Sequence, residues 1–136
     1  MLEGLNGEKI INDAYNASPT SMNAAIELVG SLTGFRQKIL VLGDMLELGE
    51  VEVQFHKKIG ESISKQEINK VFTYGQLGKY IAIGAEKALG KENVYAFEDK
   101  VDLIEKLKKH VGKNDLILVK ASRGMKLEEV VQALCK

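Results

Sequence analysis

The sequence of 136 residues is poor in several residue types, and each shortage excludes a class of protein. The single cysteine, Cys135, has no partner in the chain, so no internal disulfide can stabilise the fold. One cysteine and two histidines also provide no Cys/His cluster of the kind that binds a metal. No apolar run approaches the ~20 residues of a membrane span, and no signal peptide opens the chain. These shortages predict a soluble protein of the cytoplasm.

Net charge is absent as well, because 19 Lys and Arg residues balance 19 Asp and Glu residues. A neutral chain has no general attraction to nucleic acid or to an anionic membrane, so neither is an expected partner. Any charged ligand must therefore be held by a local cluster of side chains. The length predicts one domain over residues 1–136, and the abrupt opening at Met1 indicates a piece of a longer protein.

Short apolar runs alternate with amphipathic stretches along the whole chain. The runs predict strands at residues 9–13, 39–42, 71–74, 94–97 and 116–119. Each run is followed by apolar residues at three- and four-residue spacing, which is typical of a helix with one buried face. Five such units predict an α/β fold in which helices cover both faces of a mostly parallel sheet. Asn6-Gly7 adds a hairpin signal, so we expect residues 2–5 to contribute an antiparallel edge strand, for five to six strands in all.

Three unusual loops follow strands, at the sheet edge where open α/β folds bind their ligands. We expect the first and second predicted strands to flank the fifth, which would bring these loops together. In the first loop, NDAYNASP, Ser18 and Pro19 are explained as a helix cap and the first helical residue. Asp13, Tyr15 and Asn16 fit a nucleotide, whose ribose needs a carboxylate and whose base needs a flat partner. They equally fit an Asx turn with Tyr15 in the core.

The second loop, LGDMLELGE, places Asp44 directly after a buried strand. Met45, Leu46 and Leu48 are apolar in a segment that should be solvated. The loop therefore either folds back on the core as a helical turn or lines a pocket or an interface. Asp44 is either a ligand-binding carboxylate or a helix cap, and the residues leave both possibilities open.

The third loop, VKASRGMKLEE, carries three cations, Lys120, Arg123 and Lys126, around the expected start of the last helix. Cations at a helix N-terminus oppose the macrodipole by ~0.3–1 kcal/mol each. An anion bound to the backbone N–H groups at that end would explain them, and solvated side chains are the alternative. His56 and His110 lie among charged helix residues and are expected to face solvent.

Three segments carry a resemblance that goes beyond spacing: INDAYNASPTSMNAAI, VLGDMLELGE and VKASRGMKLEEVV. In this order and spacing the chain resembles the C-terminal domain of the Mur ligases, from about Leu2 to its end. The resemblance implies a Rossmann-like three-layer α/β/α fold and a part in peptidoglycan synthesis in the cytoplasm. It points to the branch of the family that joins D-alanyl-D-alanine to a UDP-MurNAc-tripeptide. There, ATP activates the tripeptide carboxylate as an acyl phosphate, which the dipeptide amine attacks.

The resemblance also implies roles for the loop residues. Asp13 resembles the residue that reaches the ATP ribose, and Tyr15 and Asn16 resemble residues that flank the nucleotide. The remaining candidates are expected to bind substrate, at the dipeptide carboxylate, at phosphate charge, at the dipeptide amine or at the domain interface: Asp44, Glu47, Lys120, Ser122, Arg123 and Lys126.

Large parts of such a ligase are missing from this sequence. The chain contains no GxxxxGK[ST] phosphate loop and nothing that resembles the UDP-sugar domain or the central ATPase domain with its Mg²⁺ ligands. The expected partners are therefore those two domains, together with ATP, Mg²⁺, D-alanyl-D-alanine and UDP-MurNAc-tripeptide. We predict no metal site, no catalytic residue and no ligase activity in this chain alone.

Two alternatives come from other classes of protein. A response-regulator receiver domain also has five β-α units, and Asp13, Asp44 and Lys120 superficially fit its acidic cluster and lysine. Its third strand, however, should end in a phosphorylated aspartate, where this sequence has FTYG. The second alternative is a non-catalytic binding or scaffold module, which would bind a partner protein at the three loops.

Overall fold

Six strands form one central sheet in the computed structural model, which describes residues 1–135. Their bounds are β1 Leu2–Glu3, β2 Lys9–Asp13, β3 Lys38–Gly43, β4 Lys70–Tyr74, β5 Val94–Phe97 and β6 Leu116–Lys120. The helices are α1 Pro19–Ser31, α2 Glu52–Glu61, α3 Gly78–Leu89, α4 Lys100–His110 and α5 Glu128–Cys135. Three short 3-10 turns occupy Gly49–Val51, Lys91–Asn93 and Arg123–Met125. None of the helices in residues 1–135 combines the length and apolarity that a bilayer crossing requires.

The strand order is β1-β2-β6-β3-β4-β5, with β1 antiparallel to β2 and every other pair parallel. The last strand, β6, therefore lies between β2 and β3, as the sequence predicted. Lys120 at the end of β6 is in register with Asp13 on one side and with Leu42 on the other. Since parallel strands end at the same edge, the loops after β2, β3 and β6 start side by side. The predicted hairpin at Asn6-Gly7 is confirmed by the pairing of β1 with β2.

Two apolar layers separate the sheet from helices on either face. Along β6, Leu116 and Leu118 point into the layer under α1, α2 and α3, whereas Ile117 and Val119 point into the layer under α4 and α5. All four are at most 1% exposed, which explains why β6 has no polar alternation. The predicted three-layer α/β/α arrangement is confirmed.

Helix α1 begins where the sequence predicts. The Ser18 hydroxyl accepts a hydrogen bond from the Ser21 backbone N–H at 3.2 Å, and the Ser21 hydroxyl accepts one from the Ser18 N–H at 2.9 Å. Pro19 takes the first helical position, where its missing N–H has no consequence. This reciprocal cap fixes the point at which the loop after β2 must end.

Helices α2 and α3 pack backbone to backbone because each has a glycine at the crossing. A methyl group on Gly60 would overlap the carbonyl oxygen of Ile81, and one on Gly84 would overlap that of Lys57. This close contact holds α2 firmly against α3. The loops that lead into the two helices are thereby held beside each other.

Candidate functional site

The three predicted loops share one open cleft of about 400 Å³ at the carboxyl edge of the sheet. The loop after β2 contributes three lining residues, the loop after β3 two and the loop after β6 three: Tyr15, Asn16, Ala17, Leu46, Glu47, Ser122, Arg123 and Gly124. Five of the predicted site residues thus meet in one place. The other four, Asp13, Asp44, Lys120 and Lys126, do not line this cleft.

Lys120 lies beneath the loop after β2 instead of facing the cleft. Its side chain is almost completely buried, and its ammonium donates to Asp13 Oδ2 at 2.5 Å and to the Asn16 carbonyl at 2.9 Å. The Asp13 side chain remains 41% exposed and can accept further hydrogen bonds. The pair neutralises the lysine and fixes the backbone that carries Tyr15 and Asn16.

Tyr15 presents its ring to the cleft and is 51% exposed. Its hydroxyl accepts a 3.3 Å hydrogen bond from the Asn12 amide, and Asn12 Oδ1 accepts one from the Ala14 N–H. An Asx-type contact is therefore present, but the alternative that placed Tyr15 in the core is wrong. The Asn12 contacts hold the aromatic face outward, where a flat ligand group can stack on it.

Asp44 caps a helix, although not the one that follows it in the sequence. Its Oδ1 accepts hydrogen bonds from the N–H groups of Leu77, at 3.1 Å, and Gly78, at 2.8 Å, at the start of α3. Burial raises the pKa of the Asp44 carboxyl above its ordinary value, and the hydrogen bonds from Gly78 and Leu77 oppose that rise. The cap interpretation of Asp44 is thus confirmed, with α3 as the helix.

The apolar residues of the second loop are divided between the core and the cleft, and the predicted helical turn does not form before Gly49. Met45 is completely buried and Leu48 packs against the core, whereas Leu46 is 39% exposed and lines the cleft. The Ser122 hydroxyl accepts the Leu46 N–H at 2.8 Å, which joins the second loop to the third. A hydroxyl that accepts in this way still has a proton to donate to a ligand.

The expectation that both histidines face solvent is wrong. His56 is 0% exposed, because α2 points it at the loop after β3. Its Nε2 accepts the Met45 N–H at 2.8 Å, and its Nδ1–H donates to the Glu52 carbonyl at 2.6 Å. The signal was present in the sequence, since His56 shares a helix face with Ile59 and Ile63. His110 is half-buried and packs its ring against Phe72 and Tyr95.

The helix start predicted at Lys126 is also wrong. Lys126 adopts a left-handed conformation with φ 55° after the 3-10 turn, and α5 begins at Glu128. Glu128 and Glu129 occupy the first turn and complement the helix dipole without a bound anion. Because these two carboxylates complement the dipole, no bound anion is needed to explain the cations near this helix start. Arg123 is exposed at the cleft, and within residues 1–135 it forms no ion pair.

The cleft combines an aromatic ring, an apolar side chain, an amide, a carboxylate and a guanidinium. This chemistry fits an anionic ligand that also has a flat group, such as a nucleotide, better than it fits a metal ion. Among the residues the structure describes, no three His, Cys, Asp or Glu side chains lie close enough to hold a metal.

Comparison with known proteins agrees with the resemblance to the Mur ligases. The UDP-N-acetylmuramoyl-tripeptide--D-alanyl-D-alanine ligase of Bacillus subtilis (strain 168) is 59% identical over 128 residues, which are 94% of this chain and 28% of that protein. The enzyme of the same name from Escherichia coli (strain K12) is 36% identical over 127 residues, 92% of this chain and 26% of that protein. The chain thus spans little more than a quarter of the length of these relatives.

Solved structures of the same kind superpose on this fold. The MurF ligase from Thermotoga maritima in complex with ADP matches with a TM-score of 0.78 and 26% identity, over 98% of this chain and 31% of that one. A MurF structure from Acinetobacter baumannii also gives 0.78 and 26%, over 98% of this chain and 30% of that one. A family model described as Mur ligase, glutamate ligase domain, matches residues 1–123. The chain therefore belongs to the Mur ligase family, as its glutamate ligase domain.

Proposed function

We propose that this chain is the C-terminal domain of an ATP-dependent ligase that joins D-alanyl-D-alanine to UDP-MurNAc-tripeptide in the cytoplasm. The observation that carries the proposal is the meeting of three family-like loops at one cleft of about 400 Å³. The substrates come from the relatives, which at 59% and 36% identity are both named for this reaction.

The cleft residues divide between the two small substrates. Tyr15 and Asn16 flank the nucleotide, and Asp13 accepts hydrogen bonds from the ribose hydroxyls. Arg123 and Ser122 contact anionic oxygens, either of phosphate or of the dipeptide carboxylate, because a guanidinium and a hydroxyl donate in different directions to such a group. The relative with bound ADP supports the use of a nucleotide by this family.

Four residues take supporting places around that pair of ligands. Glu47 lines the cleft and is a suitable partner for the dipeptide amine. Lys126 is exposed on the same loop as Arg123 and adds positive charge on the side that closes over ATP. Lys120 and Asp44 do not touch a ligand. Their hydrogen bonds fix the loops after β2 and β3, which carry the residues of the cleft.

The chemistry requires parts that this chain does not contain. The tripeptide carboxylate takes the γ-phosphoryl group of ATP, ADP leaves, and the dipeptide amine then attacks the acyl phosphate and releases phosphate. We place the phosphate loop and the Mg²⁺ ligands on a central domain of the full-length ligase. This chain binds and orients the substrates when it closes against that domain. Alone it is expected to have no ligase or ATPase activity.

The test replaces one cleft residue, Arg123, and one residue of the adjoining loop, Asp13, in the full-length ligase. Arg123→Ala and Asp13→Asn are each expected to lower kcat/KM for ligation about 100-fold, since each removes a contact worth roughly 2.7 kcal/mol in the transition state. Asn at position 13 keeps an oxygen for Lys120 and so protects the fold. The matched control is Lys113→Ala, an exposed cation at the opposite edge of the sheet, which should leave the rate unchanged. Wild-type rates in both Arg123→Ala and Asp13→Asn would refute the proposed site.

A further inference from the structure

Three consecutive residues after β3 are each anchored by a different part of the fold. Asp44 binds the start of α3 through its side chain and accepts the Ser122 N–H through its carbonyl, at 3.0 Å. The Met45 N–H donates to His56 on α2 at 2.8 Å. The Leu46 N–H donates to the Ser122 hydroxyl at 2.8 Å. The backbone that enters the cleft is therefore fixed residue by residue before it reaches Glu47.

Glu47 has a backbone conformation that its residue type disfavours. Its φ is 66°, in the left-handed region, where a side chain with a Cβ is strained and glycine is preferred. Leu48 then packs against the core, and Gly49 has φ 74°. A strained non-glycine residue persists only where its neighbours determine its conformation, and such residues concentrate at functional sites. Here the anchors of Met45 and Leu46 lie on one side of Glu47 and the packing of Leu48 lies on the other.

Among these anchors, His56 is the one whose hydrogen bond depends on which ring nitrogen carries the proton. The ring is completely buried and uses both nitrogens. Because Nε2 accepts the Met45 N–H, the ring proton must lie on Nδ1, from which it donates to the Glu52 carbonyl. His56 itself is therefore not available to a ligand.

We propose that His56 is a positioning residue for ligation, which holds the Glu47 carboxylate in the cleft through the Met45 N–H. The kinetic part of this inference rests on the proposed function, because it assigns Glu47 to the incoming amine. The structural part concerns the chain alone. It states that the Nδ1–H tautomer of His56 fixes the conformation of the segment from Met45 to Glu47.

The structural part is tested on the 136-residue chain by NMR. The ring nitrogen signals should show the neutral Nδ1–H tautomer of His56, and the Met45 amide should exchange slowly with solvent. In His56→Leu the Met45 amide loses its acceptor and should exchange at least tenfold faster, whereas in His56→Gln the side-chain oxygen can replace Nε2 and restore protection. A ring proton on Nε2, or equal Met45 exchange in the wild type and in His56→Leu, would overturn the proposal.

The kinetic part uses a double-mutant cycle in the full-length ligase. His56→Leu should raise the KM for D-alanyl-D-alanine about tenfold and change the KM for ATP less than twofold, with most of the loss recovered in His56→Gln. In a Glu47→Gln background, His56→Leu should cause little further loss, because the residue that it positions is already impaired. Ile59→Val is the matched control, since it shortens a buried side chain on the same helix face and leaves both partners of the Met45–His56 hydrogen bond in place.

The outcomes separate the two proposals. Equal losses from His56→Leu with and without Glu47 would mean that His56 supports only the fold, which overturns the positioning role. A Glu47→Gln enzyme with wild-type kinetics would refute the contact of Glu47 with the amine, and with it the kinetic role of His56. In that case the Arg123 and Asp13 variants would still test the three-loop site, and the NMR measurement would still test the tautomer of His56.

Discussion

A buried charge lies at each end of β6, and the two charges differ in how their hydrogen-bond partners are arranged. Asp115 immediately precedes the strand and is 0% exposed, and Lys120 ends it at 2%. The Asp115 carboxylate accepts four hydrogen bonds, two from Arg36 at 2.7 and 2.8 Å, one from Gln37 at 2.9 Å and one from the Gly112 N–H at 2.8 Å. Every oxygen of that carboxylate is satisfied from within the fold. We call the amino end of β6 the closed end, because its buried charge has all its hydrogen-bond partners within the fold.

We call the carboxyl end of β6 the open end, because the partners of its buried charge are not all enclosed by the fold. Lys120 has two acceptors, and the side chain of one of them, Asp13, is 41% exposed. The other acceptor is the carbonyl of Asn16, whose neighbours line the cleft. The comparison teaches that a buried charge by itself does not mark a functional site. A solvent-facing partner does not mark one either, because the Arg36 side chain is itself 56% exposed. The distinguishing feature is that the Asp13 carboxylate takes part in one hydrogen bond among the described residues, so one of its oxygens can still accept a bond from a ligand.

The clefts at the two sheet edges support the same conclusion. The cleft at the amino edge is the larger, at about 590 Å³, and it is lined by Glu3, Asn6, Gly7, Lys9, Arg36, Lys113 and Asn114. Two of its three cations are already paired, Lys9 with Glu3 at 3.5 Å and Arg36 with Asp115. The smaller cleft at the carboxyl edge has the exposed ring of Tyr15 and an arginine with no ion pair among the described residues. Volume alone would have selected the edge opposite to the proposed site.

The largest expected effect is on stability at the closed end. Asp115→Ala removes the acceptor of four donors and leaves the Gly112 N–H without a partner, so the free energy of unfolding should fall by about 3 kcal/mol. Urea denaturation of the chain measures it. In the full-length ligase, the fraction of enzyme that remains folded should keep its wild-type KM for ATP. A changed KM would connect the closed end to the ligand and break the comparison.

The second prediction concerns the open end. Lys120→Met removes a buried ammonium and replaces it with an apolar side chain of similar length, so the free energy of unfolding should change by less than about 1 kcal/mol. The loop after β2 loses its anchor, and the affinity of the full-length ligase for ATP should fall about tenfold, or 1.4 kcal/mol. A loss of stability as large as that of Asp115→Ala, with unchanged affinity, would show that the two ends do not differ.

Much of this contrast was within reach of the sequence. Continuous apolar runs and the Asn6-Gly7 turn signal predicted the strands, and the expected place of the last strand between β2 and β3 implied that the unusual loops would meet. Ser18 and Pro19 are local signals, because a helix cap is made by residues within one turn of it. The residues that line the cleft were found because their loops follow strands that end at one edge.

The partners of the buried polar residues were not predictable in the same way. Lys120 contacts Asp13 across 107 positions, and Asp44 caps a helix 34 positions later. No periodicity encodes such pairs, since they depend on which strands become neighbours and on where each helix starts. Lys126 was misplaced because a left-handed residue after a 3-10 turn delays the helix by two positions. His56 was misjudged because its charged neighbours were given more weight than its place on an apolar helix face.

The third prediction uses pH at the open end. Asp44→Ala leaves two N–H groups of α3 uncapped and should lower the free energy of unfolding by about 1 kcal/mol. Asp44→Asn keeps the acceptor without the buried charge, so at pH 7 it should be at least as stable as the wild type. The pKa of Asp44 is raised in the fold, so the wild type binds this proton more tightly when folded and gains stability as pH falls from neutral toward 3.8. The advantage of Asp44→Asn should therefore shrink on acidification, as urea titrations at several pH values would reveal.

The smallest effect belongs to the closed end and has the opposite sign. Burial of the His110 ring, with help from Lys70, Lys106 and Lys109, lowers its pKa below the ordinary value of 6.5. The unfolded chain then binds the proton more tightly, so this residue's contribution to stability is complete above pH 6.5 and is lost as pH falls from there toward the lower folded pKa. The change should be below about 1 kcal/mol, because the ring is only partly buried. His110→Gln should remove it, measured as the difference in unfolding free energy between pH 7.5 and 5.5. If His110→Gln keeps the whole acid sensitivity of the wild type, the closed end does not contribute to it, and the contrast in sign between the two ends of the sheet fails.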